Sequence, residues 1–196
     1  MHTRRTNAER SEETRAALIA AARELFTERG HAHTPTEAIV ERARVTRGAL
    51  YYHFKDKAGL FRAVHRETDE SLIETIAQIM AKAEGDEWQR AMVGSRAFLT
   101  LCSTPDIRRI LYTDGPVILA ADPPAPVGLG LIQQQTQLLM HLGYIAEQPI
   151  EPLSQLIFGS FIQGAVYIAR ADDKETAQEE IEHALLEWLN GLRIKP

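Results

Sequence analysis

Residues 34–57, TPTEAIVERARVTRGALYYHFKDK, predict two short helices joined by a tight turn. Thr34 is a favoured N-cap residue, Pro35 suits the first helical position, and Glu37 lies where it completes a capping box with Thr34. We expect this first helix to end near Ala43. A second helix should follow Thr46, which can cap it or donate its hydroxyl to a phosphate.

The second helix has two faces of different character. Leu50 and Phe54 are four residues apart, so they share one face, which we expect to pack inward against Ile39. The other residues face outward or sideways, and an exposed run with two tyrosines and an arginine is not expected from packing alone. A helix that enters a DNA major groove needs such a surface. The pattern therefore predicts a helix-turn-helix.

Each outward residue type suits a contact with DNA. Arg47 can donate two hydrogen bonds to a guanine edge, and the small residues Gly48 and Ala49 let the helix approach the bases closely. The aromatic side chains that follow can reach phosphates or thymine methyl groups, and threonine hydroxyls and a lysine can contact phosphates. The predicted DNA-contacting residues are Thr34, Thr36, Arg44, Thr46, Arg47, Gly48, Ala49, Tyr51, Tyr52, His53 and Lys57.

Further motifs surround this stretch: AARELF at 21–26, ERG at 28–30, VTRGALYYHF at 45–54, and Lys57 followed by LF at 60–61. With these motifs, the segment from about residue 14 to 61 resembles the DNA-binding domain of the TetR family of one-component transcriptional repressors. One departure concerns the turn, where the family usually has glycine and this chain has Arg44. A non-glycine residue at positive φ costs about 1 kcal/mol.

The resemblance implies a fold and a function for the whole chain. The expected fold is all-α with about nine helices. Residues 1–56 would form the three-helix DNA-binding domain, and residues 57–196 would form a ligand-binding and dimerisation domain. The implied function is a transcriptional repressor that leaves a palindromic operator in double-stranded DNA when a small, mostly hydrophobic effector binds. A transcriptional activator of the same fold, or a helical interaction protein without specific DNA binding, are the alternatives.

Charge and composition agree with this reading. The net charge is −5, but residues 1–60 hold 11 Lys and Arg against 8 Asp and Glu, whereas the remainder holds 11 against 19. A basic N-terminal segment on an acidic body is expected when only one domain meets phosphate. Since Cys102 is the single cysteine, no intramolecular disulfide can form, which suits the cytoplasm.

Other classes of protein are disfavoured by missing motifs. No run approaches the roughly 20 apolar residues that span a bilayer, and the first residues do not resemble a signal peptide. The chain shows no zinc-binding motif, phosphate-binding glycine loop or nucleophile elbow. We therefore expect no enzyme activity, no metal and no cofactor.

The two C-terminal helices predict a homodimer interface. The last helix carries an apolar stripe, and the preceding helix has too many apolar residues for one face. In the family these helices pair with their copies as a four-helix bundle, while intrachain packing is the alternative. A dimer would also place two recognition helices about 34 Å apart on successive major grooves. The candidate interface residues are Phe158, Phe161, Ile181, Leu185, Trp188 and Leu189.

The middle helices are where family members usually hold an effector. This region combines many apolar residues with few polar ones, which suits a small hydrophobic or aromatic molecule. Core packing for the aromatic residues and solvation for the glutamines are the alternatives. The candidate pocket residues are Trp88, Arg96, Phe98, Tyr112, Gln137, His141 and Gln163.

Overall fold

The structure, a computed structural model, describes residues 6–194 and confirms the all-α class. Its helices are α1 (Asn7–Arg29), α2 (Thr36–Ala43), α3 (Arg47–Phe54), α4 (Lys57–Lys82), α5 (Glu87–Cys102), α6 (Pro105–Ile107), α7 (Gly115–Ile118), α8 (Gly128–His141), α9 (Ile150–Arg170) and α10 (Lys174–Asn190). A π-helical segment, Arg108–Asp114, connects α6 to α7.

Local capping chemistry explains where two of the first helices begin. The α1 helix begins after Thr6, which forms a capping box with Glu9. The α3 helix begins after Thr46, whose hydroxyl oxygen accepts a hydrogen bond from the Ala49 amide at 3.2 Å. The predicted cap of the recognition helix is therefore confirmed.

The predicted cap of α2 is wrong. The N-cap residue is Pro35, and no side chain caps this helix. Thr34 is fully buried, and its hydroxyl donates to the Gly30 carbonyl at 2.8 Å and lies 3.3 Å from the Leu25 carbonyl. The Thr34 hydroxyl thus hydrogen-bonds to the C-terminal end of α1 instead of capping α2.

Packing divides the chain into two units. The first contains the described residues up to Thr68 together with Arg109–Pro123. Its core is formed by α1, α2, α3 and the start of α4. The fully buried side chains include Leu18, Leu25, Phe26, Ile39, Leu50, Leu60 and Phe61.

This division differs from the boundary expected between residues 56 and 57. Residues Arg109–Pro123 join the first unit because they bond to it: Asp114 accepts a hydrogen bond from the His31 amide at 2.8 Å. Arg62 donates to the Asp122 carbonyl at 2.7 Å and pairs with its carboxylate at 3.2 Å. The α4 helix contributes its residues up to Thr68 to this unit and the rest to the second.

The second unit surrounds α9. This helix packs against α5, α8 and α10, and residues along its length are buried, including Leu153, Ile157, Phe161 and Ile168. By length and composition, α9 is apolar enough to cross a membrane, although no such run was expected from the sequence. Packing against neighbouring helices accounts for part of that apolar character, since 39% of its most apolar 18-residue window is buried.

Candidate DNA-binding surface and ligand cavity

The recognition helix α3 is anchored through its inner face. Leu50 is fully buried and Phe54 is 8% exposed, which confirms the inward face predicted from their spacing. On the outer face, Tyr52 is 82% exposed and Tyr51 is 41% exposed. An aromatic side chain left this open by its own chain is available to a partner.

Arg47, the first residue of α3, is held by two neighbours on this outer surface. Its guanidinium lies 3.1 Å from the Glu37 carboxylate, and it donates to the Tyr51 hydroxyl at 3.3 Å while lying over the Tyr51 ring. The Tyr51 hydrogen bond, followed by the charges of Tyr51 and Glu37, raises the pKa of Arg47. These contacts orient a permanently charged fork toward the outside of the motif.

Small residues leave the start of α3 open. A Cβ atom added at Gly48 would meet only the Thr46 hydroxyl oxygen, at 3.9 Å. Packing within the chain therefore does not require glycine at this position. Ala49 is half-buried beside it, and both Thr46 and Arg47 are exposed.

Arg44 ends α2 in the left-handed conformation, with φ 56° and ψ 40°. This confirms the positive φ expected where the resembling family has glycine. The residue is exposed at the end of α2. Arg44 therefore combines a strained backbone conformation with a positive charge next to the recognition helix.

Two predicted DNA contacts have other roles inside the first unit. Thr34 is buried and bonded as described above, so its side chain does not reach the surface. Lys57 is partly buried, and its ammonium donates to the His31 carbonyl at 2.8 Å and the Thr34 carbonyl at 3.1 Å. An ammonium has three donors, and these two bonds use two of them. The other predicted residues, Thr36, Tyr51, Tyr52 and His53, lie at least partly exposed.

Two histidines with a lowered pKa lie in the same unit. The His31 ring packs against Phe26 and Phe61, and burial lowers its pKa, as does the Lys57 charge, against the opposing effect of Asp114. Burial, aided by the Arg62 charge, also lowers the pKa of His65. His31 Nε2 and His65 Nδ1 are buried without a hydrogen-bond partner among the described residues.

The second unit contains a largely apolar cavity of about 100 Å³. Side chains from α4, α5, α8, α9 and the end of α10 line it. Ser95, Gln135 and Thr136 are the polar side chains in its wall, and the Ser95 hydroxyl is already bonded to the Ala91 carbonyl at 2.8 Å. The aromatic residues in the wall are Trp88, Phe98, Phe158 and Phe161.

Of the predicted pocket residues, Trp88 and Phe98 line this cavity and the other five do not. Arg96 is exposed and pairs with Glu182 at 2.8 Å, Gln137 and His141 are exposed on α8, and Gln163 lies in a surface groove. Tyr112 belongs to the first unit, since it lies within Arg109–Pro123.

Sequence reasoning missed Gln135, Thr136 and Ser95. A signal was available for the first two, because they share a helical face with Ile132 and Leu139, both of which line the cavity. Polar residues within an apolar stripe are better candidates for a buried site than polar residues elsewhere on the same helix.

A surface groove runs between α9 and α10. It is lined by both polar and apolar residues, among them Gly164, Tyr167, Ile181, Leu185 and Trp188. Trp188 is 42% exposed and Tyr167 is 47% exposed, and Leu156, also on α9, is 66% exposed.

The groove contains Ile181, Leu185 and Trp188 of the predicted dimer residues. The other three, Phe158, Phe161 and Leu189, line the internal cavity instead. These three lie on the inner sides of α9 and α10, so their apolar character is explained by packing within the chain.

The two units and their sites define a helix-turn-helix protein with a helical, cavity-containing second unit. Family comparison agrees. The model described as "Bacterial regulatory proteins, tetR family" matches residues 18–64. The model described as "Tetracyclin repressor-like, C-terminal domain" matches residues 88–192, more than half of the chain. The chain belongs to the TetR family.

Individual relatives agree with this assignment. A solved TetR-family transcriptional regulator from Pectobacterium atrosepticum is 36% identical, with a TM-score of 0.88, covering 98% of this chain and 100% of that one. The transcriptional regulator AcrR of Shigella flexneri is 35% identical over 82 residues, which are 42% of this chain and 38% of AcrR. TtgR of Pseudomonas putida is 43% identical over 84 residues, 43% of this chain and 38% of TtgR. The chain thus matches about two fifths of the length of these two curated relatives.

Proposed function

We propose that this protein is a sequence-specific DNA-binding repressor of transcription that acts as a homodimer and is released from its operator by a small molecule. The observation that carries the proposal is the outer surface of α3. There Arg47 and two exposed tyrosines surround an open position at Gly48, while Leu50 and Phe54 anchor the helix beneath. This arrangement suits insertion into a major groove.

Base reading requires Arg47 to exchange partners. In the free protein its guanidinium pairs with Glu37 and Tyr51. At the operator the fork would turn to a guanine edge, while Tyr51 and Tyr52 contact the backbone or thymine methyl groups. Arg44, Thr36, Thr46 and the remaining donor of Lys57 would hold the phosphates that set the position of the helix.

The α9–α10 groove supports the dimer. Its exposed aromatic residues Tyr167 and Trp188 offer the kind of side chain that is enriched in protein interfaces. A twofold symmetric pair would present two α3 helices to two half-sites of a palindrome.

The cavity supports regulation by a ligand. In our proposal the DNA-bound and ligand-bound states differ in the spacing of the two α3 helices, and α4, which contributes to both units, links the change. A ligand shifts this equilibrium only by as much as its affinity differs between the two states.

Fluorescence anisotropy of the intact protein tests DNA recognition. Duplexes covering the upstream intergenic region of its gene are titrated at several salt concentrations, with random duplex as competitor. We expect saturable binding that survives the competitor, with two protomers or a multiple per site. Binding no tighter than to random duplex, here and in a genome-wide selection of bound fragments, would refute sequence-specific recognition.

Two variants and a control test which residues contact the DNA. Arg47→Ala should weaken specific binding by about 10- to 100-fold and relax base preference. Lys57→Ala should weaken binding to all duplexes alike. Arg96→Ala, which removes an exposed arginine from the second unit, should bind like the wild-type protein. Equal losses in Arg47→Ala and Arg96→Ala would contradict the assignment of α3.

A further inference from the structure

Gln135 on α8 combines a place in the cavity wall with a buried hydrogen-bond acceptor, its Oε1 atom, that has no partner among the described residues. Buried polar atoms in proteins are nearly always bonded, because an unpaired one loses its interaction with water without compensation. A ligand with an O–H or N–H group would supply the missing donor.

The rest of the wall limits what such a ligand can be. Within the described chain, the cavity-lining residues include no Asp, Glu, Lys, Arg or His. Moving an ion into these surroundings would cost far more free energy than moving a neutral molecule, because no charge is available to pair with it. The cavity therefore selects for a neutral molecule.

Shape and size favour a small apolar body. Phe98 and Phe161 meet edge to face, with ring centroids 5.2 Å apart, and Trp88 is 3% exposed. The volume of about 100 Å³ is about two thirds of that of engineered apolar cavities of about 150 Å³ that bind benzene in another protein, so the cavity has room for no more than one ring. Single-ring compounds are therefore the appropriate probes.

We infer that the cavity binds neutral, largely apolar small molecules that donate a hydrogen bond to Gln135 Oε1, such as alkylphenols. This inference rests on the proposed function in so far as the bound molecule acts as the effector. The polar anchor is Gln135 and not Gln137, which is exposed on the same helix. The Ser95 hydroxyl donates its hydrogen to the Ala91 carbonyl of its own helix, whereas Gln135 Oε1 has no hydrogen-bond partner among the described residues.

Calorimetric titration of the intact protein, without DNA, tests the ligand class with three probes of one ring size. They are 4-ethylphenol, which donates a hydrogen bond, 4-ethylanisole, which cannot, and 4-ethylbenzoate, which is charged at pH 7. We expect 4-ethylphenol to bind about 3- to 10-fold more tightly than 4-ethylanisole, the range that one hydrogen bond confers. We expect no binding of 4-ethylbenzoate.

A matched pair of variants assigns the donor preference to one atom. Gln135→Leu should lose the preference for 4-ethylphenol over 4-ethylanisole, because the acceptor is gone and the phenol O–H would be buried without a partner. Gln137→Leu, the same change on the exposed face of α8, should keep the wild-type preference. Equal binding of the two neutral probes by the wild-type protein, binding of the benzoate, no binding of any probe, or equal behaviour of the two variants would overturn the inference.

A second measurement tests separately whether the bound molecule also releases the protein from its operator. Each probe is added to the complex of the protein with its operator, and release is followed by anisotropy. Release by 4-ethylphenol, lost in Gln135→Leu, supports both statements. Calorimetric binding with the expected preference but without release would leave the ligand class standing and would refute the effector role of such compounds.

Discussion

Replacing Arg44 by glycine should make the protein more stable while weakening its hold on DNA. Arg44 has φ 56° and ψ 40°, a conformation that costs a residue with a Cβ atom about 1–2 kcal/mol. Glycine avoids this cost, but it lowers the free energy of unfolding by about 0.5–1 kcal/mol because the unfolded chain has greater conformational freedom. The midpoints of the two ranges leave Arg44→Gly more stable by about 0.75 kcal/mol. For a chain of this length, that raises Tm by about 1.5–3 °C.

Arg44→Ala is the matched control, because it removes the same charge and keeps the Cβ atom. Its Tm should stay close to that of the wild-type protein. Both variants lose a cation beside α3, so both should bind every duplex more weakly. If Arg44 of each protomer contacts one phosphate, the dimer loses two contacts, so the slope of log K against log salt should fall in magnitude by about 1.8 in each variant.

Thermal unfolding followed by circular dichroism, and anisotropy at four salt concentrations, measure the two effects separately. The strain argument would be refuted if Arg44→Gly melted at or below the Tm of Arg44→Ala. The proposed phosphate contact would be refuted if both variants kept the wild-type salt dependence. The two failures are independent, since one concerns the backbone and the other concerns the charge.

Other changes in the first unit test packing and pH. Thr34→Val should lower the free energy of unfolding by about 1–2 kcal/mol, because buried hydrogen bonds to the end of α1 are lost. Urea titration measures this change. A loss of DNA affinity without a loss of stability would contradict the structural role and favour Thr34 as a DNA contact. Gly59→Ala would place a Cβ atom 2.1 Å from the Phe54 carbonyl oxygen, so we expect a loss of about 1–3 kcal/mol, whereas Gly130→Ala, which has open space, should not destabilise the protein. Because burial lowers the pKa of His65, the unfolded chain binds the proton more readily; stability should be complete above about pH 6.5 and fall as the pH drops from there toward the folded pKa. His65→Leu should flatten the fall in Tm between pH 7 and pH 5.5, and an unchanged slope would contradict this.

Local rules were enough to predict the recognition helix. The four-residue spacing of Leu50 and Phe54 fixes which face is buried, and the Thr46 cap depends on atoms within three residues. These two features depend on neighbours in sequence, so periodicity and capping rules predict them. The positive φ at Arg44 was expected from a different source, the glycine that the resembling family has in this turn.

Features that depend on distant segments were not predictable in this way. Thr34 fits the cap pattern, but the end of α1 offers its hydroxyl a carbonyl at 2.8 Å, and burial favours that bond. Similarly, Asp114 and Asp122 attach residues Arg109–Pro123 to the first unit through side-chain contacts with residues more than 50 positions earlier. The charges and turn residues of these segments do not indicate which distant residues they contact.

The cavity shows how helical phase could improve such predictions. On α8, Gln135 coincides with the apolar stripe and lines the cavity, whereas Gln137 lies two positions on, about 200° around the helix, and is exposed. On α5, Ser95 and Phe98 line the cavity while Arg96, one position after Ser95, lies on the outside and pairs with Glu182. Side-chain chemistry alone favoured Arg96 and Gln137, because they are good ligand anchors in isolation. Burying a polar residue within the apolar stripe of a helix costs desolvation free energy, and packing against apolar neighbours does not offset that cost. A hydrogen bond from a ligand would offset it, which is the physical reason to assign such a residue to a ligand site.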